Sequence, residues 1–312
     1  MSFAEEVKNE AAHLQPENDD CARAELAALL CMGCTVVAGP DGTAGMEFST
    51  SNNAVARKAL SMWLKSFSLR PEVLVRRGRK LRKKNIYTLR VPFSEQGRAV
   101  LESLDLYPQA GSFDHLDLKR SDCRRAFLRG AFMGGGSVNQ PRGDYHLELV
   151  TANDVFAQRI LKVMRQFHLK AKLTDRKGEY LVYVKEGNGV SSFLQYIGTD
   201  QACLKFESAR VFKDMRNNVN RVVNCETANL QKTVDAAVRQ IKDIQLLQAS
   251  GFYSRLTPRL QEAAELRLTH REASLSELAE LSGLTKSGLT HRYKKLALMA
   301  KEIEGMDKND TQ

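Results

Sequence analysis

Cys31 and Cys34 stand three positions apart, a spacing at which two thiolates can chelate zinc or exchange a disulfide. A structural zinc site needs a second pair of Cys or His ligands, and none follows at a matching spacing. A redox pair needs a thioredoxin-like frame, which is also missing, so the two thiols read as small residues filling a tight helix end. Gly134-Gly135-Gly136 has the composition of a phosphate cradle, yet no Gly-Lys-Ser/Thr follows and no strand precedes it. The six cysteines are scattered and unpatterned, as in a reduced protein rather than a disulfide framework. These residues lead to the expectation of no metal, no cofactor and no catalytic group.

What the sequence does concentrate is positive charge. The chain of 312 residues carries a formal charge of +10 and its pI is near 9.3, a balance suited to a polyanion, nucleic acid first. The densest basic run is Arg76-Arg77-Gly78-Arg79-Lys80-Leu81-Arg82-Lys83-Lys84. It sits between two strand candidates, where its cations could grip phosphates without reading sequence. The first twenty residues are polar and acidic, unlike a secretory leader, and no apolar run is long enough to span a bilayer. A cytoplasmic protein with no membrane partner is expected.

The elements that position these groups come in duplicate. Leu26-Ala27-Ala28-Leu29-Leu30-Cys31-Met32-Gly33-Cys34 is a weaker copy of Phe127-Leu128-Arg129-Gly130-Ala131-Phe132-Met133-Gly134-Gly135-Gly136, an apolar helix running into a glycine-rich turn. Thr50-Ser51-Asn52-Asn53 and Thr151-Ala152-Asn153-Asp154 each open an amphipathic helix with polar cap candidates. Strand pairs flank Gly39-Pro40-Asp41-Gly42 and Pro141-Arg142-Gly143-Asp144. A second pair follows each helix: Val73–Val75 with Ile86–Val91, then Ala171–Thr174 with Tyr180–Val184 through Arg176-Lys177-Gly178. Each unit reads αββαββα, and Ala27, Ala28, Gly130 and Ala131 are small enough for the two motif helices to cross closely.

The motif resembles that of LAGLIDADG homing endonucleases, with one departure. Where that family places its metal-binding carboxylates, this chain has Gly33 and Gly135. Glycine cannot hold Mg²⁺ between attacking and leaving oxygens. Glu25 is a helix's length away and Asp144 lies on a hairpin turn, so neither replaces the missing acids. A residual nuclease with displaced ligands is the least favoured reading.

From Ser208 onward the chain changes character. A polar, Asn-rich stretch from Ser208 to Asn229 shows no clear period, and a helix is expected from Leu230 to Ala249 with a packing stripe at Leu230, Val234, Val238, Ile241 and Gln245 or Leu247. Thr257-Pro258 starts a helix, Ser274-Leu275-Ser276-Glu277 forms a capping box, and Ser282-Gly283-Leu284 turns the chain. Ala279 and Gly283 are the small residue and the turn glycine of a helix-turn-helix, with Leu278, Leu284 and Leu289 in its core. In the helix opening at Thr285, Lys286, Ser287, Thr290, His291 and Lys294 can face a major groove, with Arg292 and Lys295 nearer phosphates.

Asn220-Arg-Val-Val-Asn-Cys-Glu-Thr-Ala-Asn-Leu230 and Ser287-Gly-Leu-Thr-His-Arg292, with the degenerate motif pair, resemble the WhiA family over nearly the whole chain. The resemblance implies an α+β fold: a two-copy, homing-endonuclease-like saddle of αββαββα repeats, followed by an all-α helix-turn-helix domain. It divides the chain into a lead-in (1–20), the degenerate domain (21–215, copies about 21–107 and 120–200), a linker segment and helix (216–251), the DNA-binding domain (252–304) and a polar tail (305–312). It implies a non-catalytic DNA-binding regulator of bacterial cell division, chromosome segregation and, where present, sporulation, acting at the nucleoid. Double-stranded DNA is the expected partner, together with RNA polymerase or a cell-division protein. The rival is a nucleoid-associated scaffold working through protein partners or non-specific DNA binding.

Overall fold

The computed structural model describes residues 1–77, 85–108, 110, 113, 116–140 and 143–309. The chain forms two compact units, Met1–Asp214 and Met215–Gln312.

In the first unit, helix α1 (Phe3–His13) precedes two copies of one motif. The first copy is α2 (Asp19–Gly33), β1 (Cys34–Ala38), β2 (Ala44–Thr50), α3 (Asn53–Ser66), β3 (Glu72–Arg77), β4 (Asn85–Ser94) and α4 (Glu95–Ser103). The second is α5 (Ser121–Gly135), β5 (Gly136–Val138), β6 (Leu147–Thr151), α6 (Asp154–Gln166), β7 (Lys172–Arg176), β8 (Glu179–Val184) and α7 (Gly187–Tyr196). The two antiparallel sheets have orders β1-β2-β4-β3 and β5-β6-β8-β7, one topology built twice. Asn52 and Asn153 cap α3 and α6 by accepting from the amides of Val55 and Phe156.

Helices α2 and α5 pack against each other at the centre. Leu26, Leu29, Leu30, Phe127, Leu128 and Phe132 are buried there, each contributing about 1.5–3 kcal/mol of burial free energy. The crossing is set by Gly130, where an added Cβ would sit 2.1 Å from the Glu25 carbonyl oxygen. The acidic N-terminal stretch is more than a lead-in. Phe3, Val7 and Ala11 of α1 are buried in the core of this unit, with Phe3 stacked on Phe206.

Helix α8 (Asp200–Ala249) is a single 50-residue helix, so the Asn-rich stretch is helical rather than irregular. It contains no proline or glycine, and its start is fixed by Glu10, whose carboxylate accepts from the amides of Gln201 and Ala202. Of the expected packing stripe, Leu230, Val234 and Val238 are exposed, Ile241 is half-buried and Leu247 is buried, together with Ala237 and Ile244.

The second unit packs the end of α8 with α9 (Pro258–Thr269), α10 (Leu275–Ser282) and α11 (Lys286–Asn309). Its core holds Leu260, Ala263, Leu278, Leu289, Tyr293 and Leu296. Among the described residues, no helix is long and apolar enough to cross a membrane.

Candidate nucleic-acid interface

Helices α10 and α11 form the turn that the sequence spelled out. Ser274 and Glu277 make a reciprocal capping box, and the backbone and side chain of Ser274 hold the Glu277 carboxyl below its usual range. Gly283 ends α10 at φ 67, the left-handed conformation that glycine adopts without steric cost. The Thr285 hydroxyl then caps α11 by accepting from the amide of Gly288 at 3.1 Å. Ser282, polar where many such turns are apolar, donates its hydroxyl to the Leu278 carbonyl at 2.6 Å.

Leu289, Tyr293, Leu296 and Ala300 recur at four- and three-residue intervals and face the core. Ser287, His291 and Lys294 therefore lie on the opposite side, and all three are exposed, as are Lys286 and Lys295. Thr290 is half-buried and donates its hydroxyl back to the Lys286 carbonyl at 2.7 Å. Arg292 is turned toward α9: its guanidinium donates to the Arg259 carbonyl and to Glu262 Oε2 at 2.9 Å. The exposed side presents three lysines and the positive end of the helix macrodipole, a surface suited to phosphate and base-edge acceptors.

Arg267 holds this unit together and has no signature in the sequence. It is 1% exposed, and no carboxylate pairs with it among the described residues. Its guanidinium donates to Gln240 Oε1 at 2.9 Å and to the carbonyls of His270 and Ala273, and lies over the Tyr293 ring. Burial lowers its pKa from the usual arginine value.

In the first unit, the two motif positions lie at the C-terminal ends of α2 and α5. A Cβ at Gly135 would meet the Val150 carbonyl oxygen and the Met32 Cε, each at 2.6 Å; at Gly33 it would meet the Phe48 ring at 3.2 Å. The second position is thus closed to a side chain as well as lacking one. Glu25 is fully buried and committed elsewhere: Arg129 Nε donates to it at 3.0 Å and Lys58 Nζ lies 3.6 Å away. Burial lowers the Lys58 pKa, against the raising effect of Glu25. Asp144 is exposed beyond the sheet.

Cys31 and Cys34 are half-buried, and burial raises both thiols, Cys34 to about 12, so neither is a thiolate near neutral pH. A closer pair went unread in the sequence. Cys21 and Cys123 are buried with their Sγ atoms 3.3 Å apart, at equivalent points of the two copies. Asp122 completes a cluster of three groups able to ligate a metal. Its carboxylate already accepts from Arg120 and Asn18, and burial raises both thiols, Cys123 to about 12. The shared spacing of this pair and of Gly33 with Gly135 was the available signal.

Strand alternation turns Glu47, Glu72, Arg76 and Arg90 of one sheet, and Glu148, Lys172, Arg176 and Glu179 of the other, away from the core. Each set is charge-balanced, and Arg90 donates to Glu47 at 2.6 Å. The exposed residues Arg76 and Arg77 end β3, whereas Arg79, Lys80, Arg82, Lys83 and Lys84 lie outside the described residues.

Fold and turn geometry define a class: a degenerate LAGLIDADG-type α+β scaffold carrying a helix-turn-helix module. Three family models match in tandem: the WhiA N-terminal LAGLIDADG-like domain over residues 19–107, the WhiA LAGLIDADG-like domain over 124–216 and the WhiA C-terminal HTH domain over 219–300. The chain belongs to the WhiA family. It is 43% identical over 307 residues to a probable cell division protein WhiA of Heliobacterium modesticaldum, covering 96% of each chain. It is 42% identical to another such protein, from Alkaliphilus metalliredigens, covering 98% of this chain and 99% of the relative. The solved full-length DUF199/WhiA of Thermotoga maritima shares the fold, with a TM-score of 0.59 and 24% identity over 97% of this chain and 99% of that one.

Proposed function

We propose that this chain is a non-catalytic, sequence-specific DNA-binding regulator of bacterial cell division, acting in the cytoplasm at the nucleoid. The observation that carries the reading is the exposed face of α11, where Ser287, His291 and Lys294 point away from a core that fixes the helix, with Lys286 beside them. Lys286 and Ser287 at the helix start are the base-contact candidates, and Thr290 follows them. Lys295 is a phosphate contact; Arg292, bonded to Glu262, acts first as a brace for the helix. Arg76, Arg77, Arg79, Lys80, Arg82, Lys83 and Lys84 supply affinity without sequence preference.

The absence of nuclease activity follows from Gly33 and from the closed position at Gly135. The balanced outer sheet faces favour a supporting role for the first unit: added affinity through the basic run, or recruitment of RNA polymerase or a division protein. Transcriptional control of division, chromosome segregation and sporulation genes is the biological form of this reading.

The test is selection of bound fragments from a random DNA pool in the presence of Mg²⁺, with the recovered DNA sized. Intact fragments sharing a short motif are expected, and Lys286→Ala with Lys294→Ala should abolish that selection while far-ultraviolet dichroism is unchanged. Unaltered site selection by the double variant overturns the assignment of α11, and cut fragments overturn the non-catalytic reading. Intact fragments with no shared motif point to the scaffold.

A further inference from the structure

Among the described residues, nothing packs on the middle of α8. From Asp214 to Lys232 every residue is exposed. This stretch includes Asn217, Asn218, Asn220, Asn224 and Asn229 and several valines, all weak helix formers. A helix of that composition gains its stability from packing rather than from propensity. Its surface is two-sided. Phe212, Met215, Val219, Val222, Val223 and Leu230 are each more than half exposed and gather on one side, while Asn217, Asn220, Arg221 and Asn224 occupy the other.

The apolar side has an internal order. Positions 212, 216, 219, 223, 226 and 230 recur at alternating intervals of four and three residues, the spacing of a coiled-coil seam. They are occupied by Phe, Arg, Val, Val, Glu and Leu. When the seam is laid antiparallel on itself, centred at the level of Arg221, every layer matches. Phe212 meets Leu230 and Val219 meets Val223, while Arg216 meets Glu226, and each layer occurs twice by symmetry. Neither Arg216 nor Glu226 has an ion-pair partner among the described residues, and both are exposed.

We propose that α8 is a self-association surface, and that its occupant is α8 of a second copy of this chain in antiparallel register. The reciprocal Arg216–Glu226 layers fix that register, because a slip of one layer sets a charge against an apolar side chain. From Phe212 to Leu230 the stripe is about 27 Å long, at 1.5 Å per residue. With a helix width of about 10 Å it covers on the order of 270 Å² per copy. That is below the size of stable specific interfaces, so the pairing is weak and concentration-dependent.

The experiment is sedimentation velocity of the full chain without DNA, from low to high micromolar concentration. Wild type, Arg216→Glu, Glu226→Arg, the double swap and Val219→Asp are compared, with far-ultraviolet dichroism to verify the fold. Wild type should pass from monomer to dimer. Either single charge reversal should weaken dimerisation tenfold or more, the double swap should restore it, and Val219→Asp should leave a monomer. A wild type that stays monomeric overturns the proposal, as does a double swap that fails to rescue. A monomeric protein whose Arg216→Glu variant loses DNA affinity would assign this helix to nucleic acid instead. Because no DNA is present in the sedimentation run, failure here is separable from failure of the α11 assignment.

Discussion

Returning an acid to each motif position separates a lost ligand from a closed site. In Gly135→Asp, the new Cβ would lie 2.6 Å from the Val150 carbonyl oxygen. Val150 belongs to β6, which is held on both edges by β5 and β8, so the carbonyl cannot retreat without disturbing the sheet. Overpacking of this kind costs about 1–3 kcal/mol, and a half-buried carboxylate beside a carbonyl oxygen adds about 1 kcal/mol more. In Gly33→Asp the nearest atom is a Phe48 ring carbon at 3.2 Å, which yields by a few tenths of an ångström, so about 1 kcal/mol or less is expected. For a unit of this size, each kcal/mol moves Tm by about 2–4 °C. Thermal melts followed by dichroism should therefore show Gly135→Asp down by roughly 4–16 °C and Gly33→Asp by no more than about 4 °C. Equal losses at the two positions, or a neutral Gly135→Asp, would refute the steric argument.

Four further outcomes are expected. Arg267→Met should destabilise the second unit by about 3 kcal/mol, since two carbonyls and Gln240 lose their donor, and urea melts of the variant measure it. Gly283→Ala should cost about 1 kcal/mol through φ 67 alone, because its Cβ would meet nothing within 4 Å, and a matching loss in chemical denaturation checks this. At pH 8, iodoacetamide should label exposed Cys225 quickly and leave Cys21 and Cys123 unmodified in the folded chain. Because folding raises the Cys123 thiol from 9.0 to about 12, its contribution to stability is complete below pH 9 and declines as pH rises toward 12, which melts across that window would record.

Local chemistry was the legible part of this fold. The Asn52 and Asn153 caps, the Ser274–Glu277 box and the Gly283 turn are each written in two or three adjacent residues, and the structure forms all of them. The duplicated αββαββα order was legible because the copies repeat both their apolar periods and their turn residues. Helix α8 was legible only from Leu230 to Ala249; its earlier part was not, since Asn217 through Asn229 lower its propensity while its start is held by Glu10 and Phe206, distant in sequence or in the core. The site divided in the same way. An exposed face on α11 followed from the spacing of its buried residues, whereas the turning of Arg292 to Glu262 and the burial of Arg267 depend on partners that no local pattern announces.

The Glu25–Arg129 contact restricts which halves of the first unit can pair. At the spacing that relates Gly33 to Gly135, Glu25 corresponds to Phe127 and Arg129 corresponds to Ala27, so the acid belongs to one half and the guanidinium to the other. Two first halves brought together would bury two carboxylates that lack their arginine. Two second halves would bury a pair of guanidinium groups facing phenylalanine, at about 3–5 kcal/mol for each abandoned charge. The duplication has thus become a lock and its key: separated fragments of this unit should recombine only as unlike partners.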